Sequence, residues 1–178
     1  NGGIIMAINF GDSSIQSKAG ILQIRRGQMY GRNSTTSSSY VDTGLQATMQ
    51  CSHVDSRVLI IVHAIFGGSQ HGEGFYRLSG GNSDQLIGES SSSRERCLGY
   101  MGNDWGHGAT AHGWAFNASH SVVCHPNSTS NLAYKLQFKG RGSTVTIGAD
   151  YEDPSTVEGA RCYSSITLME LSYGAWNQ

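Results

Sequence analysis

The chain has 178 residues, a net charge of −1 and charged side chains at 14% of its positions. This length suits one domain with a hydrophobic core of its own. The near-neutral charge predicts no nucleic-acid partner, because nucleic-acid binding rests on an excess of Lys and Arg. The sequence has no run of about 18 apolar residues, so we also expect no insertion into a membrane.

The first segment, 1–19, has no regular hydrophobic period and predicts an N-terminal arm ahead of a single domain at 20–178. It lacks the basic start and the long apolar stretch of a signal peptide. Because Asn1 is not a translation start, we expect the numbering to begin inside a longer or processed product.

The predicted domain consists of short strands separated by turns rich in Gly and Ser. A strand at 21–24 and a turn at 25–27 come first, followed by a polar loop at 33–39. The other predicted strands are 40–50, 57–66, 75–78, 86–88, 97–101, 114–123, 132–139, 144–147 and 164–173, with a hairpin turn at 140–142. Without a sustained helical period, this pattern predicts an all-β fold, an antiparallel β-sandwich or jelly roll.

The predicted strand at 57–66 is the most apolar stretch, and both of its faces are hydrophobic. Alternate residues from Val58 to Phe66 form one face, and the residues between them form the other. A sheet with one wet face would alternate apolar and polar residues, so we expect this strand to be covered on both sides. The core covers one side, and a neighbouring subunit is the predicted cover of the other. The predicted subunit interface is Leu59, Ile61, His63 and Ile65.

Four cysteines are scattered along the chain without a C-x-x-C pair, which disfavours a zinc ribbon or a thioredoxin-type motif. They are Cys51, Cys97, Cys124 and Cys162. Two disulfides with three possible pairings are one interpretation, and four buried thiols are the other. Cys51 with Cys162 is the preferred bridge, because each lies beside a strong predicted strand.

The segment 97–124 is rich in His, Trp and Cys and carries most of the candidate ligand-binding residues. Glycines around His107 and His112 favour a loop whose backbone a ligand can approach closely. Flat aromatic faces, such as those of Tyr100 and Trp105, next to hydrogen-bonding side chains are typical of a sugar-binding surface. The predicted ligand-binding residues are Tyr76, Tyr100, Asp104, Trp105, His107 and His112.

A metal site in this segment stays an open alternative, and an enzymatic role is disfavoured. A loop can bring His107 and His112 onto a metal ion with Asp104, but the spacing of a known zinc motif is missing, and packing histidines are the alternative. We predict no cofactor. We also predict that the chain is not an enzyme, because no paired carboxylates and no G-x-S-x-G elbow stand out.

Five segments, taken in this order and spacing, carry a resemblance to a known group of proteins. They are 9–16 (NFGDSSIQ), 35–45 (TTSSSYVDTGL), 56–60 (SRVLI), 134–138 (YKLQF) and 165–171 (SITLMEL). Together they resemble short virion proteins and fibre tips from tailed phages of marine bacteria. The segment 97–124 departs from that pattern, so the resemblance implies nothing about it.

The resemblance implies a protein of the virion surface, in a tail fibre or a receptor-binding tip that attaches the particle to its host. It also implies an antiparallel sandwich that assembles as a trimer. The expected partners are further copies of the chain, other virion proteins and a host-surface glycan. A head decoration or structural connector is the alternative, and a virion-associated glycan hydrolase is the third and least favoured.

Overall fold

The computed structural model describes residues 20–68, 73–82, 87–101, 114–149 and 161–172, with the backbone alone for 114 and 115. These residues form ten strands and no helix, which confirms the predicted all-β class. No helix in the described ranges is therefore long and apolar enough to cross a membrane. The predicted arm at 1–19 lies outside the described residues.

The strands range from three to twelve residues, and most have Gly, Ser or Asn at or next to one of their ends. In chain order they are β1 (Ile21–Met29), β2 (Asn33–Thr35), β3 (Val41–Gln50), β4 (Arg57–Gly68), β5 (Gly74–Ser79), β6 (Gly99–Met101), β7 (Trp114–Cys124), β8 (Asn131–Gly140), β9 (Val145–Ile147) and β10 (Ser164–Leu171).

The strands form two antiparallel sheets. Sheet A has the order β1-β10-β4-β9-β2, and β7 pairs with the opposite edge of β4. Sheet B has the order β3-β8-β5-β6. The first and last strands of the described chain are neighbours, so distant segments must meet before sheet A is complete.

The two sheets share one hydrophobic core, and the alternation of the sequence determines which side chains enter it. On β4, the alternate residues from Val58 to Phe66 are each at most 1% exposed. On β8, Tyr134, Leu136 and Phe138 are fully buried. Both sets belong to a single cluster of buried residues. This confirms the core face predicted for the strand at 57–66, and the alternation of apolar and polar residues on β8 indicates the same arrangement.

Three local predictions are wrong. The chain does not turn at 25–27, because β1 continues to Met29 and pairs with β10 along its whole length. The predicted loop at 33–39 contains β2, which pairs with β9. Ile87 and Gly88, from the weak strand predicted at 86–88, lie outside any strand.

The turn at 140–142 does not close a hairpin. It carries the chain from β8 in sheet B to β9, which pairs with β2 and β4 in sheet A. Gly142 has a φ of 79°, a left-handed conformation that favours glycine. The sequence predicts the position of the turn correctly, but it predicts the wrong pairing partner for the strand that follows.

Gly27 lies where β1 passes close to the backbone of sheet B. A Cβ at this position would stand 1.8 Å from the Gln46 carbonyl oxygen on β3. We expect Gly27→Ala to lower the free energy of unfolding by about 3 kcal/mol, because a backbone carbonyl cannot move aside without separating the sheets. Urea unfolding measures the change. Gly31→Ala is the control, since a Cβ there has no neighbour within 4 Å, and an equal loss in both variants would contradict the argument.

Candidate functional site

The outer face of sheet A is the first of two surfaces with the features of a functional site. Leu59, Ile61, His63 and Ile65 alternate with the buried residues of β4, so they point away from the core. Ile61 is 37% exposed, and the other three are partly buried. The structure therefore brings all four predicted interface residues onto one face and leaves that face partly open.

Neighbouring strands extend this apolar face across the sheet. Ile24 on β1 pairs with Met169 on β10, which pairs with Leu59, and Leu59 pairs with Val123 on β7. Paired residues in antiparallel strands lie on the same face, so four apolar side chains form a row across four strands. Ile24 is 53% exposed. We call this row, together with Ile61, the sheet A patch.

The second surface is a cleft of about 740 Å³ on the outer side of sheet B. Its floor comes from β5, β6 and β8, and its walls come from the loop at 93–97 and the turn at 140–142. The lining residues are Ser38, Phe75, Ser93, Arg94, Glu95, Cys97, Tyr100, Lys139, Gly140, Arg141 and Gly142. Tyr100 is thus the one predicted ligand-binding residue that the described structure places in this cleft.

An aromatic pair forms the floor of the sheet B cleft. Phe75 pairs with Tyr100 across β5 and β6, and their ring centroids lie 5.4 Å apart at 48°. Tyr100 is 46% exposed, so part of its side chain is open to a ligand. Burial, and then the Glu73 carboxylate beside its hydroxyl, raise the pKa of Tyr100. The Tyr100 hydroxyl therefore stays protonated at neutral pH.

An ion pair holds one wall of the cleft against the sheet. Lys139 Nζ on β8 lies 2.7 Å from Glu95 Oε2, and the Lys139 side chain is only 15% exposed. The same ammonium lies 5.0 Å from the centroid of Tyr40. Tyr40 in turn donates a hydrogen bond to the Arg96 carbonyl and packs under Arg77. This half-buried network fixes the loop at 93–97.

Positive charge exceeds negative charge at the cleft by one, because Arg94, Lys139 and Arg141 face only two carboxylates, Glu95 in the lining and Glu73 beside Arg141. Arg141 Nη1 contacts Glu73 Oε2 at 3.1 Å, yet its side chain remains 68% exposed. Arg94 is exposed as well. The two arginines therefore present guanidinium groups to the solvent at the rim of the cleft.

Tyr76 is the other predicted ligand-binding residue within the described chain, and it lies in the core. It is 2% exposed and stacks on Phe66 at 4.9 Å between centroids. Its hydroxyl is 2.7 Å from His120 Nε2 on β7, so the pair joins the two sheets. Burial lowers the pKa of His120. A neutral imidazole in this position can accept the hydrogen bond of Tyr76.

The remaining predicted ligand-binding residues, Asp104, Trp105, His107 and His112, lie outside the described residues, so the sugar-binding loop stays a prediction. Within the described ranges, no group of three or more His, Cys, Asp or Glu side chains is arranged to hold a metal ion. The metal site considered at His107 and His112 falls outside those ranges.

All four cysteines are free thiols, and the preferred Cys51–Cys162 bridge is not formed. Cys51 precedes Ser52, which is bonded to Glu170 at the Val58 end of β4. The backbone of Cys162 is bonded to Gly148 at the Ile65 end of the same strand. Seven residues of strand separate these ends by about 23 Å, far beyond the reach of a disulfide.

Two of the thiols are buried together at one end of the core. Cys51 and Cys124 are each 3% exposed. Burial raises the pKa of both to about 11, so they remain protonated and unreactive at neutral pH. The interpretation of buried thiols therefore describes these two positions, whereas Cys97 and Cys162 are partly exposed.

The sequence matches no protein-family model and no curated protein. The resemblance to phage virion proteins therefore remains a prediction from the five segments that carry it.

Proposed function

We propose that the chain is a non-enzymatic subunit of a bacteriophage particle, a trimeric β-sandwich at a fibre tip that attaches the particle to its host. The sheet A patch is the observation that carries this proposal. An exposed apolar face marks a site of protein association, and a tip built from several copies needs such a face on every copy.

The strand order supports a sandwich of the jelly-roll type. β1, β10, β4 and β7 follow one another in sheet A, and β3, β8, β5 and β6 follow one another in sheet B. The chain therefore alternates between the sheets and brings its first and last strands together, as double-sheet jelly rolls do. The core cluster shared by the two sheets agrees with face-to-face packing.

The two surfaces suit a division of roles between the sheets. The sheet A patch would be buried between the copies of the chain. The sheet B cleft of each copy would then face outward. Three clefts on one tip raise the effective affinity for a repetitive host surface without any new contact. The predicted arm at 1–19 would then be available for other virion proteins.

The carboxylates at the cleft favour binding over hydrolysis. Glu95 is held by Lys139 at 2.7 Å, and Glu73 is held by Arg141 at 3.1 Å. A glycosidase needs one carboxylic acid with a raised pKa beside a second, ionised carboxylate. Both carboxylates at the cleft are instead engaged in ion pairs with cations, which suits the walls of a binding site.

Immunogold labelling of the particle tests the location. Antibodies raised against the purified chain are expected to place gold at the ends of the fibres and to block adsorption to host cells. Gold spread over the head, with adsorption unaffected, would contradict the proposal in favour of a decoration protein.

A further inference from the structure

We propose that the sheet B cleft binds an anionic saccharide, whose acidic groups are carboxylates or sulfates. The proposal rests on the role in host attachment given above and names the class of ligand that the site takes. With a volume of about 740 Å³, the cleft is in the range of pockets that hold small ligands.

The floor of the cleft suits a sugar ring. The partly open ring of Tyr100, braced from the side by Phe75, offers a flat apolar surface of the size of a pyranose. The hydroxyl of Tyr100 and the hydroxyl of Ser93 add polar groups at its margin. An aromatic face bordered by a few polar groups is the usual composition of a small-molecule site.

The charges of the cleft specify an acidic sugar over a neutral one. Lys139 is already engaged by Glu95 and sits low against the sheet, so it acts as a fixed part of the wall. Arg141 uses Nη1 on Glu73 and keeps 68% of its side chain exposed. Arg94 has no side-chain partner among the described residues. Guanidinium groups bind carboxylates and sulfates through paired N–H donors.

The excess of positive charge is confined to the sheet B cleft. Binding at the cleft therefore differs from a general attraction between polyanions and a basic protein. The chain as a whole carries a net charge of −1, whereas the cleft has three cations against two carboxylates, Glu95 and Glu73. An acidic ligand is therefore attracted to the exposed guanidinium groups of this cleft. Added salt should weaken the binding, since the arginines lie at the solvent-exposed rim.

Calorimetric titration of the intact protein tests the proposal with three oligosaccharides of equal length. They are an oligogalacturonate, a sulfated dextran fragment and a neutral dextran fragment. We expect at least one of the two acidic ligands to bind and the neutral one not to bind. Which acidic ligand binds identifies the carboxylate or the sulfate as the natural group.

Three variants connect the binding to this cleft. Arg141→Gln is expected to weaken binding of the acidic ligand at least about tenfold, because a charged hydrogen-bonding partner is lost. Tyr100→Ala is expected to weaken it by a similar factor through loss of the stacking surface. Arg25→Gln makes the same change in charge on β1 of sheet A and is expected to leave the affinity unchanged.

Equal binding of acidic and neutral ligands, equal losses in Arg141→Gln and Arg25→Gln, or no binding of any of the three would overturn the assignment. None of these results alters the mass of the protein in solution or the position of gold on the particle. The ligand class can therefore fail while the fibre-tip role stands, and the reverse also holds.

Discussion

Glu170→Gln is expected to lower the free energy of unfolding by about 3 kcal/mol, since the wild-type carboxylate accepts four charge-assisted hydrogen bonds in a buried site. Glu170 is 0% exposed. Its Oε1 accepts from the Ser52 N–H at 2.7 Å, the Ser52 hydroxyl at 2.6 Å and the Ser56 hydroxyl at 2.7 Å. Its Oε2 accepts from Gln23 Nε2 at 2.6 Å. These bonds join β1, β10 and the β3–β4 connection.

Glu170 also determines the direction in which the free energy of unfolding changes with pH. Burial alone would raise the pKa of Glu170, but the hydrogen bonds from Ser52, Gln23 and Ser56 outweigh it and lower the pKa below its ordinary value. The pKa of Glu in an unfolded chain is about 4.3. The stabilisation is therefore complete above that pH and is lost as the pH falls through the lower pKa of the folded state.

Urea unfolding of wild type and Glu170→Gln between neutral and acid pH measures both effects. The difference between the two proteins is expected to shrink as the pH falls, because protonation removes the wild-type advantage. Hydrogen bonds from Lys135 and Gln137 lower the pKa of Asp42. The contribution of Asp42 to the pH dependence is the same in both proteins and cancels in the difference. Glu89→Gln, at an exposed position, is the control. A pH-independent difference would contradict this account of Glu170.

Ile61→Glu is expected to dissociate the proposed trimer into single chains. Ile61 is 37% exposed in one chain, so the fold tolerates a polar side chain there. In a trimer assembled through the sheet A patch, the same change buries an unpaired carboxylate on every copy. Each such charge costs several kcal/mol, and we expect the concentration for half-dissociation to rise at least about 100-fold. Sedimentation equilibrium measures this change.

Thr48→Glu is the matched control for Ile61→Glu. Thr48 lies on β3 and faces solvent on sheet B, so the same negative charge is added away from the patch. We expect this variant to assemble as the wild type does. Ile61→Glu is expected to stay folded but to unfold at a lower urea concentration, because it lacks the stabilisation that assembly gives the folded chain. Dissociation of both variants alike would mean that charge in general, and not the patch, controls assembly.

Strand faces were predictable from the sequence because burial in a sheet repeats every second residue. The strict alternation of β8 placed Tyr134, Leu136 and Phe138 inward. On β4, the apolar run identified both the core side and the side that carries Ile61. Each of these assignments needs only local pattern, since the backbone geometry of a strand determines which side chains share a face.

Strand partners were not predictable in the same way. Gly27 resembles a turn residue in sequence, yet its missing side chain is what lets β1 pass close to Gln46. β9 follows a glycine turn but pairs in the other sheet. Such pairings depend on contacts between distant segments, about which local propensity carries little information. The predicted Cys51–Cys162 bridge is wrong for this reason. Each residue lies beside a strong strand, but the two residues lie at opposite ends of β4.

The sheet B cleft was predictable only in part. Alternation on β8 placed Lys139 on the face opposite the core, and Tyr100 was selected for its flat aromatic face. Arg94 and Glu95 lie in a Ser-rich loop without periodicity, where no sequence signal marks the contact with Lys139. The ion pair arises because the loop at 93–97 folds back over Tyr40, which only the assembled sheet reveals.

The mass of the wild-type protein in solution tests the central claim most directly. Light scattering behind size-exclusion chromatography, over a range of micromolar concentrations, is expected to give three times the chain mass of 19.1 kDa. Hydrogen exchange should then show the strands under Leu59, Ile61 and Met169 more strongly protected in the assembly than in Ile61→Glu. A mass of 19.1 kDa at every concentration would contradict the account.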